Sequence, residues 1–192
     1  MEWLWGVDRE MTGVVNQDWH SPTLDTFFRW ITYLGLDQVV LPLVLILILV
    51  RSQRLAGFTC LLAYAIGGVS AQIIKRLAPR FRPGSLSETI VASDERIFLS
   101  SFPSGHTVIA FAVAFALLLS WPGARRTLVG TAALVLALGV ALSRIYRGVH
   151  WPTDIVGSIS LALIAAAIAH AVVTRWGRSE EASEPHPLEE PA

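Results

Sequence analysis

The chain has a single cysteine, Cys60, only 16% charged residues and no net charge at neutral pH. One cysteine closes no intramolecular disulfide and builds no cysteine-rich metal site. Zero net charge removes the electrostatic case for a nucleic-acid partner, which needs a basic face against phosphate. Soluble proteins carry roughly 25% charged residues, so this shortfall, beside 53% hydrophobic residues, excludes an ordinary water-soluble enzyme. The charges present are bunched into short stretches with long uncharged intervals between them.

Five of those intervals approach the roughly 20 apolar residues that cross a hydrocarbon layer about 30 Å thick. They are residues 34–50, with one acid at Asp37 near its start, and the uncharged 55–74, 104–124, 127–143 and 155–174. Unpaired backbone amides are costly in lipid, so each run predicts a helix. Gly67, Gly68, Ala71 and the alanine-rich stretch 165–171 are small enough to let such helices approach closely. At the N-terminus, Trp3, Leu4, Val7, Met11, Val14 and Val15 share one helical face, and Glu2, Asp8, Arg9, Glu10, Asn16 and Gln17 the other. This pattern predicts an amphipathic helix on the membrane surface, with its polar face in water. It lacks the basic start, apolar centre and small-residue cleavage site of a signal peptide, and is expected to be retained. Ser21-Pro22 caps a second helical piece, 23–34, either interfacial or the lower half of a tilted first span.

The predicted fold is all-α: a polytopic membrane helical bundle of five to six transmembrane helices with an N-terminal amphipathic interfacial helix. Residues 1–36 form the interfacial helices, 37–176 the membrane-embedded domain, and 177–192 an acidic, proline-containing tail expected to be disordered. Alternating passes put Arg51, Arg54, Arg125, Arg126, Arg175 and Arg178 on one side, which the positive-inside rule makes cytoplasmic. The other side carries Lys75, Arg76, Arg80, Arg82, Arg96, Arg144 and Arg147. That balance makes sense if several of the latter are held there by chemistry.

Three clusters at span ends all fall on this second side. Lys75 to Pro83 is a basic, proline-punctuated exit from a helix. Phe102-Pro103-Ser104-Gly105-His106 opens the next span, where free N–H groups and the helix dipole make an anion pocket with no Cβ at Gly105. Ser143 to Asp154 joins the last two spans; His150 and Asp154 lie four apart across a helix-starting proline, so the carboxylate can orient one imidazole nitrogen. Cations, backbone donors, a nucleophile and an acid are the needs of phosphoryl transfer. Few acidic residues stand at ligand spacing, so no metal is expected.

These residues resemble the membrane-embedded type 2 phosphatidic acid phosphatases, whose site is shared with vanadium haloperoxidases. Lys75, Arg82 and Pro83 match the first family motif, Pro103 to His106 the second, and Ser143, Arg144, His150 and Asp154 the third. The likeness spans roughly 55–174. It implies that His150 attacks phosphorus to form a phosphohistidine, Asp154 orients it and His106 protonates the leaving oxygen. Lys75, Arg82, Arg144, Ser104 and the Gly105 amide hold the nonbridging oxygens. It further implies no cofactor, a lipid phosphate as substrate and a bacterial cytoplasmic membrane location with the site facing outward. Undecaprenyl diphosphate leads the candidate substrates, ahead of phosphatidylglycerophosphate and phosphatidic acid, and a phosphotransferase would share the same residues.

Outside the motifs, His170 is expected to bond between helices, His20 to lie in a loop beside the Ser21 cap, and Cys60 to be a small core residue. The tryptophans Trp3, Trp5, Trp19, Trp30, Trp121, Trp151 and Trp176 fit interfacial anchoring. For Arg80 and Arg147, a supporting role at the site and simple solvation stay equally open.

Overall fold

The structure, a computed structural model, describes residues 2–95 and 100–183, with side chains of the last helix described as far as 177. Helix α1 (Glu2–Thr12) runs on into a wider π-helical turn, Gly13–Asp18. Helices α2 (Pro22–Tyr33), α3 (Asp37–Leu49), α4 (Arg54–Leu77), α5 (Gly105–Ser120), α6 (Arg126–Tyr146) and α7 (Pro152–Ser183) follow. Regular structure among the described residues is all helical.

Helix α5 is the centre of the bundle and packs on α4, α6 and α7; α3 lies on α4, and α2 on α6. The buried faces are built from small side chains: Ala63 and Ala71 of α4, Ala112, Ala114 and Ala116 of α5, and Ala162, Ala165, Ala166 and Ala169 of α7. Large apolar residues, among them Val69, Ile73, Leu128, Val135, Leu163 and Ile168, point outward. This inversion of the soluble pattern has a physical cause. Lipid tails are as apolar as leucine, so helices associate by close backbone approach and leave bulky side chains to the lipid. Of the small residues singled out in α4, Gly67 and Ala71 are buried, but Gly68 faces open space and contributes no close contact.

Three helices, Arg51–Leu77, Arg126–Tyr146 and Pro152–Gly177, are long and apolar enough to cross a membrane. The pair α2 and α3 passes as one further span bent by 47°, while α5 is a shorter apolar helix of 16 residues. The segment 23–34 is therefore half of this bent pair, whose break falls at residues 34–36. The structure so gives three to four candidate spans where five to six were predicted. Helix α7 continues through Ser183; the remainder of the expected tail, 184–192, and the loop residue Arg96 lie outside the described residues.

The N-terminal helix corrects one expectation. Asp8 and Asn16, assigned to a water-facing side, are both 0% exposed, whereas Trp3, Leu4, Met11 and Val14 are exposed. Glu2, Arg9, Glu10 and Gln17 of the polar face do remain exposed, so it is Asp8 and Asn16, with Val15, that dock on protein. Asn16 Nδ2 accordingly donates to the carbonyls of Ile90 and Tyr146, both at 2.7 Å, while its Oδ1 accepts from the Ile90 amide at 2.9 Å. Ser21 caps α2 by accepting from the Leu24 amide at 3.4 Å, and His170 Nδ1 meets Ser120 Oγ at 2.8 Å between α7 and α5, both as expected. Trp151 departs from its expectation: it is 3% exposed, with its indole N–H donated to the Phe81 carbonyl at 2.8 Å, so it is a packing residue and no anchor.

Candidate active site

Helix α4 ends, α5 begins, α6 ends and α7 begins at the same end of the bundle, where the described loop residues 78–95 and 100–104 meet the loop 147–151. The turn between α3 and α4, with Arg51 and Arg54, meets Trp176 of α7 at the opposite end. At the loop end lies a cavity of about 420 Å³, lined among others by Lys75, Arg82, Gly105, His106, Arg144 and His150. Six of the eight site residues named from sequence thus share one hollow. The other two stand behind it: Asp154 under His150, and Ser104 as the cap of α5.

Each side chain reaches the cavity for a local reason. Lys75 sits in the last turn of α4, where a cation suits the carbonyl end of the helix dipole. Ser104 is fully buried and its hydroxyl accepts from the Thr107 amide at 3.4 Å and from the Thr107 hydroxyl at 3.0 Å. It thereby starts α5 and presents Gly105, beside whose Cα there is open space. Helix α6 closes at Gly148, whose φ is +73°. The amides of Val149 and His150 then both donate to the Arg144 carbonyl at 3.2 Å, using acceptors the helix end leaves over. A Cβ on Gly148 would also lie 2.5 Å from the Ile90 carbonyl oxygen, so both backbone and packing require glycine.

The cations are held rigidly. Arg82 donates from Nη1 to the Val149 carbonyl and from Nη2 to the Ser100 carbonyl, both at 3.1 Å. Arg144 donates from Nη1 to Thr32 Oγ1 at 2.7 Å, and its buried Nε has no hydrogen-bond partner among the described residues. Burial first, and then the neighbouring Arg144, pull the Arg82 pKa below its ordinary value. An entering anion would relieve both effects. His150 is 2% exposed, and burial, with Arg144 and Arg82 nearby, lowers it to about 4 against the opposing pull of Asp154. Its Nδ1 is 3.7 Å from Oδ2 of Asp154, beyond hydrogen-bond range, and has no other partner among the described residues.

Sequence reasoning expected few acids here, and the structure corrects that. Asp37, Asp94 and Glu95 line the same cavity. Glu95 bonds Arg144 and Arg147 together; burial pushes its carboxyl up, but these two guanidinium groups outweigh that and bring it down to about 2. Arg147 also reaches Asp94 at 2.6 Å, which answers the question left open for it: it is 4% exposed and ion-paired. Arg80 is likewise paired, with Asp8 and Asp154. Among the described residues, no three His, Cys, Asp or Glu side chains converge as metal ligands would.

The family model described as PAP2 superfamily matches residues 56–178, well over half of the chain. The chain belongs to the PAP2 superfamily. Relatives bear out the assignment. The undecaprenyl-diphosphatase of Sulfolobus acidocaldarius is 26% identical over 79% of this chain and 71% of its own length. Phosphatidylglycerophosphatase B of Bacillus subtilis is 31% identical over 75% of this chain and 72% of its own. The crystal structure of a transmembrane PAP2 type phosphatidylglycerolphosphate phosphatase from Bacillus subtilis superposes with a TM-score of 0.74 at 25% identity, covering 97% of this chain and 90% of that one. The PAP2 match begins in α4, so the first three helices lie outside it, yet α1 and α2 supply Asp8 and Thr32 to the surroundings of its motif residues.

Proposed function

We propose that this PAP2 membrane phosphatase removes the terminal phosphate of a lipid diphosphate, with undecaprenyl diphosphate as the leading substrate, through a phosphohistidine on His150. The observation carrying this is the convergence of two histidines and three cations, Lys75, Arg82 and Arg144, from three separate stretches of chain on one cavity. A cavity of about 420 Å³ suits a phosphorylated headgroup, with the lipid tail left in the bilayer. The bent α2–α3 pair, α4, α5, α6 and α7 would then make five spans. Arg51 and Arg54, at the end remote from the cavity, favour an outward-facing site in a bacterial cytoplasmic membrane.

In the proposed reaction, Asp154 accepts a hydrogen bond from Nδ1–H of His150, the proton staying on the ring, and Nε2 attacks phosphorus as the bond to the leaving oxygen breaks. His106, as imidazolium, donates its proton to that oxygen. Neutral His106 then takes a proton from water, whose oxygen displaces His150 from phosphorus and releases phosphate. Lys75, Arg82 and Arg144 neutralise the nonbridging oxygens with the Gly105 amide, which Ser104 holds in place as the helix cap. The likeness to the Bacillus subtilis phosphatidylglycerophosphatase B favours phosphatidylglycerophosphate as second substrate.

The test is phosphate release from a panel of lipid phosphates in detergent with EDTA present. Native protein is expected to turn over and His150→Ala to be inactive. Chelator-sensitive turnover, or an active His150→Ala, overturns the mechanism; transfer of phosphate to lipid without its release indicates a phosphotransferase.

A further inference from the structure

Arg80 lies outside the phosphate cavity, held between two buried carboxylates. Its Nη1 donates to Oδ1 of Asp154 at 2.5 Å and to Oγ1 of Thr153 at 2.8 Å, and its Nη2 to Oδ2 of Asp8 at 2.5 Å. Asp8 in turn accepts from the Thr153 amide on Oδ1 at 2.9 Å and from the Thr153 hydroxyl on Oδ2 at 2.6 Å. The rings of Trp5 and Trp151 flank the guanidinium at 4.9 and 5.9 Å. Asp8 and Asp154 are both 0% exposed. Burying a second carboxylate carries a large desolvation penalty unless it is paired and hydrogen-bonded. Docking α1 by hydrogen bonds needs no such charge, so its presence points to the neighbouring chemistry.

We propose that Arg80, anchored by Asp8 of the first helix, is a positioning residue that fixes Asp154 and limits how strongly Asp154 draws on His150. It rests on the phosphohistidine reading. Asp154 has Oδ1 committed to Arg80 and Oδ2 receiving the Trp151 amide at 2.9 Å, which sets its plane toward His150 Nδ1. Without Arg80, the buried carboxylate would have the imidazole as its remaining cationic partner. An imidazolium paired with Asp154 has no lone pair for phosphorus. With Arg80 sharing the charge, Asp154 accepts the N–H of a neutral ring and leaves the nucleophile intact.

The charges fix the sign of each perturbation. His150 faces Asp154 of α7, Arg144 of α6, Arg82 of the loop after α4, Lys75 of α4 and His106 of α5. Arg80 faces Asp8 of α1 and Asp154 of α7. Arg80→Gln removes a cation and frees Asp154, so His150 gains its proton at higher pH. Asp8→Asn leaves Arg80 wholly to Asp154, so His150 titrates at lower pH.

The experiment uses the full chain in detergent, with phosphatidic acid and farnesyl diphosphate as probes and histidine NMR to follow His150. Arg80→Gln is expected to lower kcat roughly 10- to 100-fold, the scale of a small misplacement at a reacting group, with KM within about twofold. Its His150 titration should move up, that of Asp8→Asn down, and Arg80→Lys should recover most of the rate. Unchanged kcat and titration in Arg80→Gln overturns the proposal. So do shifts of the same sign in both variants, or rates that fall only in step with the loss of folded protein seen by size exclusion while His150 titrates as in wild type. An inactive wild type, or an active His150→Ala, overturns the phosphohistidine reading itself and this one with it.

Discussion

Glu95 grips Arg144 with both carboxylate oxygens, Oε1 at 2.7 Å from Nη1 and Oε2 at 3.0 Å from Nη2. Two anionic oxygens on one guanidinium are also what a phosphate would offer. On the proposed mechanism, Glu95 would therefore compete with substrate and product for the same cation. Glu95→Gln removes the charge and keeps the shape, and is expected to lower the inhibition constant for inorganic phosphate about tenfold, the equivalent of roughly 1.4 kcal/mol. Competitive inhibition by phosphate at fixed substrate measures this; weaker inhibition in the variant would mean that Glu95 braces Arg144 for the ligand.

The same ion pairs make a pH-dependent contribution to stability. The Glu95 carboxyl falls from 4.5 to about 2 because Arg144 and Arg147 outweigh its burial. A lowered carboxylate pKa stabilises the fold above the unfolded value, and that contribution is lost as pH falls through the folded one. The thermal midpoint of wild type should exceed that of Glu95→Gln by a full margin at pH 6, and the margin should shrink between about pH 4.5 and about pH 2.

His150 offers a third measurement. Burial lowers it from 6.5 to about 4, so the neutral form, the one the proposed mechanism needs, prevails through the mildly acidic range. Because the unfolded chain binds that proton more readily, the group costs stability as pH falls from 6.5 toward 4, the opposite window to that of a cationic histidine. The chain has five histidines. One ring titrating near pH 4 by NMR, and missing from His150→Gln, is the expected result; a resonance lost near 6.5 instead would show the ring to be solvated.

The proposed reacting side chains were legible because phosphoryl transfer demands particular residue types, and the chain carries such residues at fixed spacings beside span ends. Their partners were not. Asp8 reaches Arg80 across 72 positions, Thr32 reaches Arg144 across 112 and Glu95 reaches it across 49, and no local pattern announces any of them. Periodicity marks α1 correctly as amphipathic, yet says nothing of which polar residues meet protein; Asp8 and Asn16 do, through partners far along the chain. The bent α2–α3 pair was left undecided for a related reason. Arg29 inside it is unfavourable for a span, and its pairing with Asp94 at 3.4 Å depends on a loop far along the chain.

Gly35, at the break between α2 and α3, ties the N-terminal helices to catalysis. A Cβ there would lie 2.8 Å from Cγ1 of Val140 and 3.0 Å from Cβ of His106, so one methyl group must push the first turn of α5 or the middle of α6. The nearer atom belongs to a valine that can be trimmed; the other belongs to the proposed acid. Gly35→Ala is therefore expected to cut kcat roughly 10- to 100-fold, since a displaced proton donor loses its line to the leaving oxygen. Adding Val140→Ala should restore the thermal midpoint but only part of kcat, because the His106 contact persists. Gly139→Ala, whose Cβ would meet only Ile31 Cγ2 at 3.2 Å, serves as the control and should keep near-native turnover. Full activity in Gly35→Ala at the wild-type midpoint would mean that α5 can yield without moving His106, and that the break in the first span plays no part in placing it.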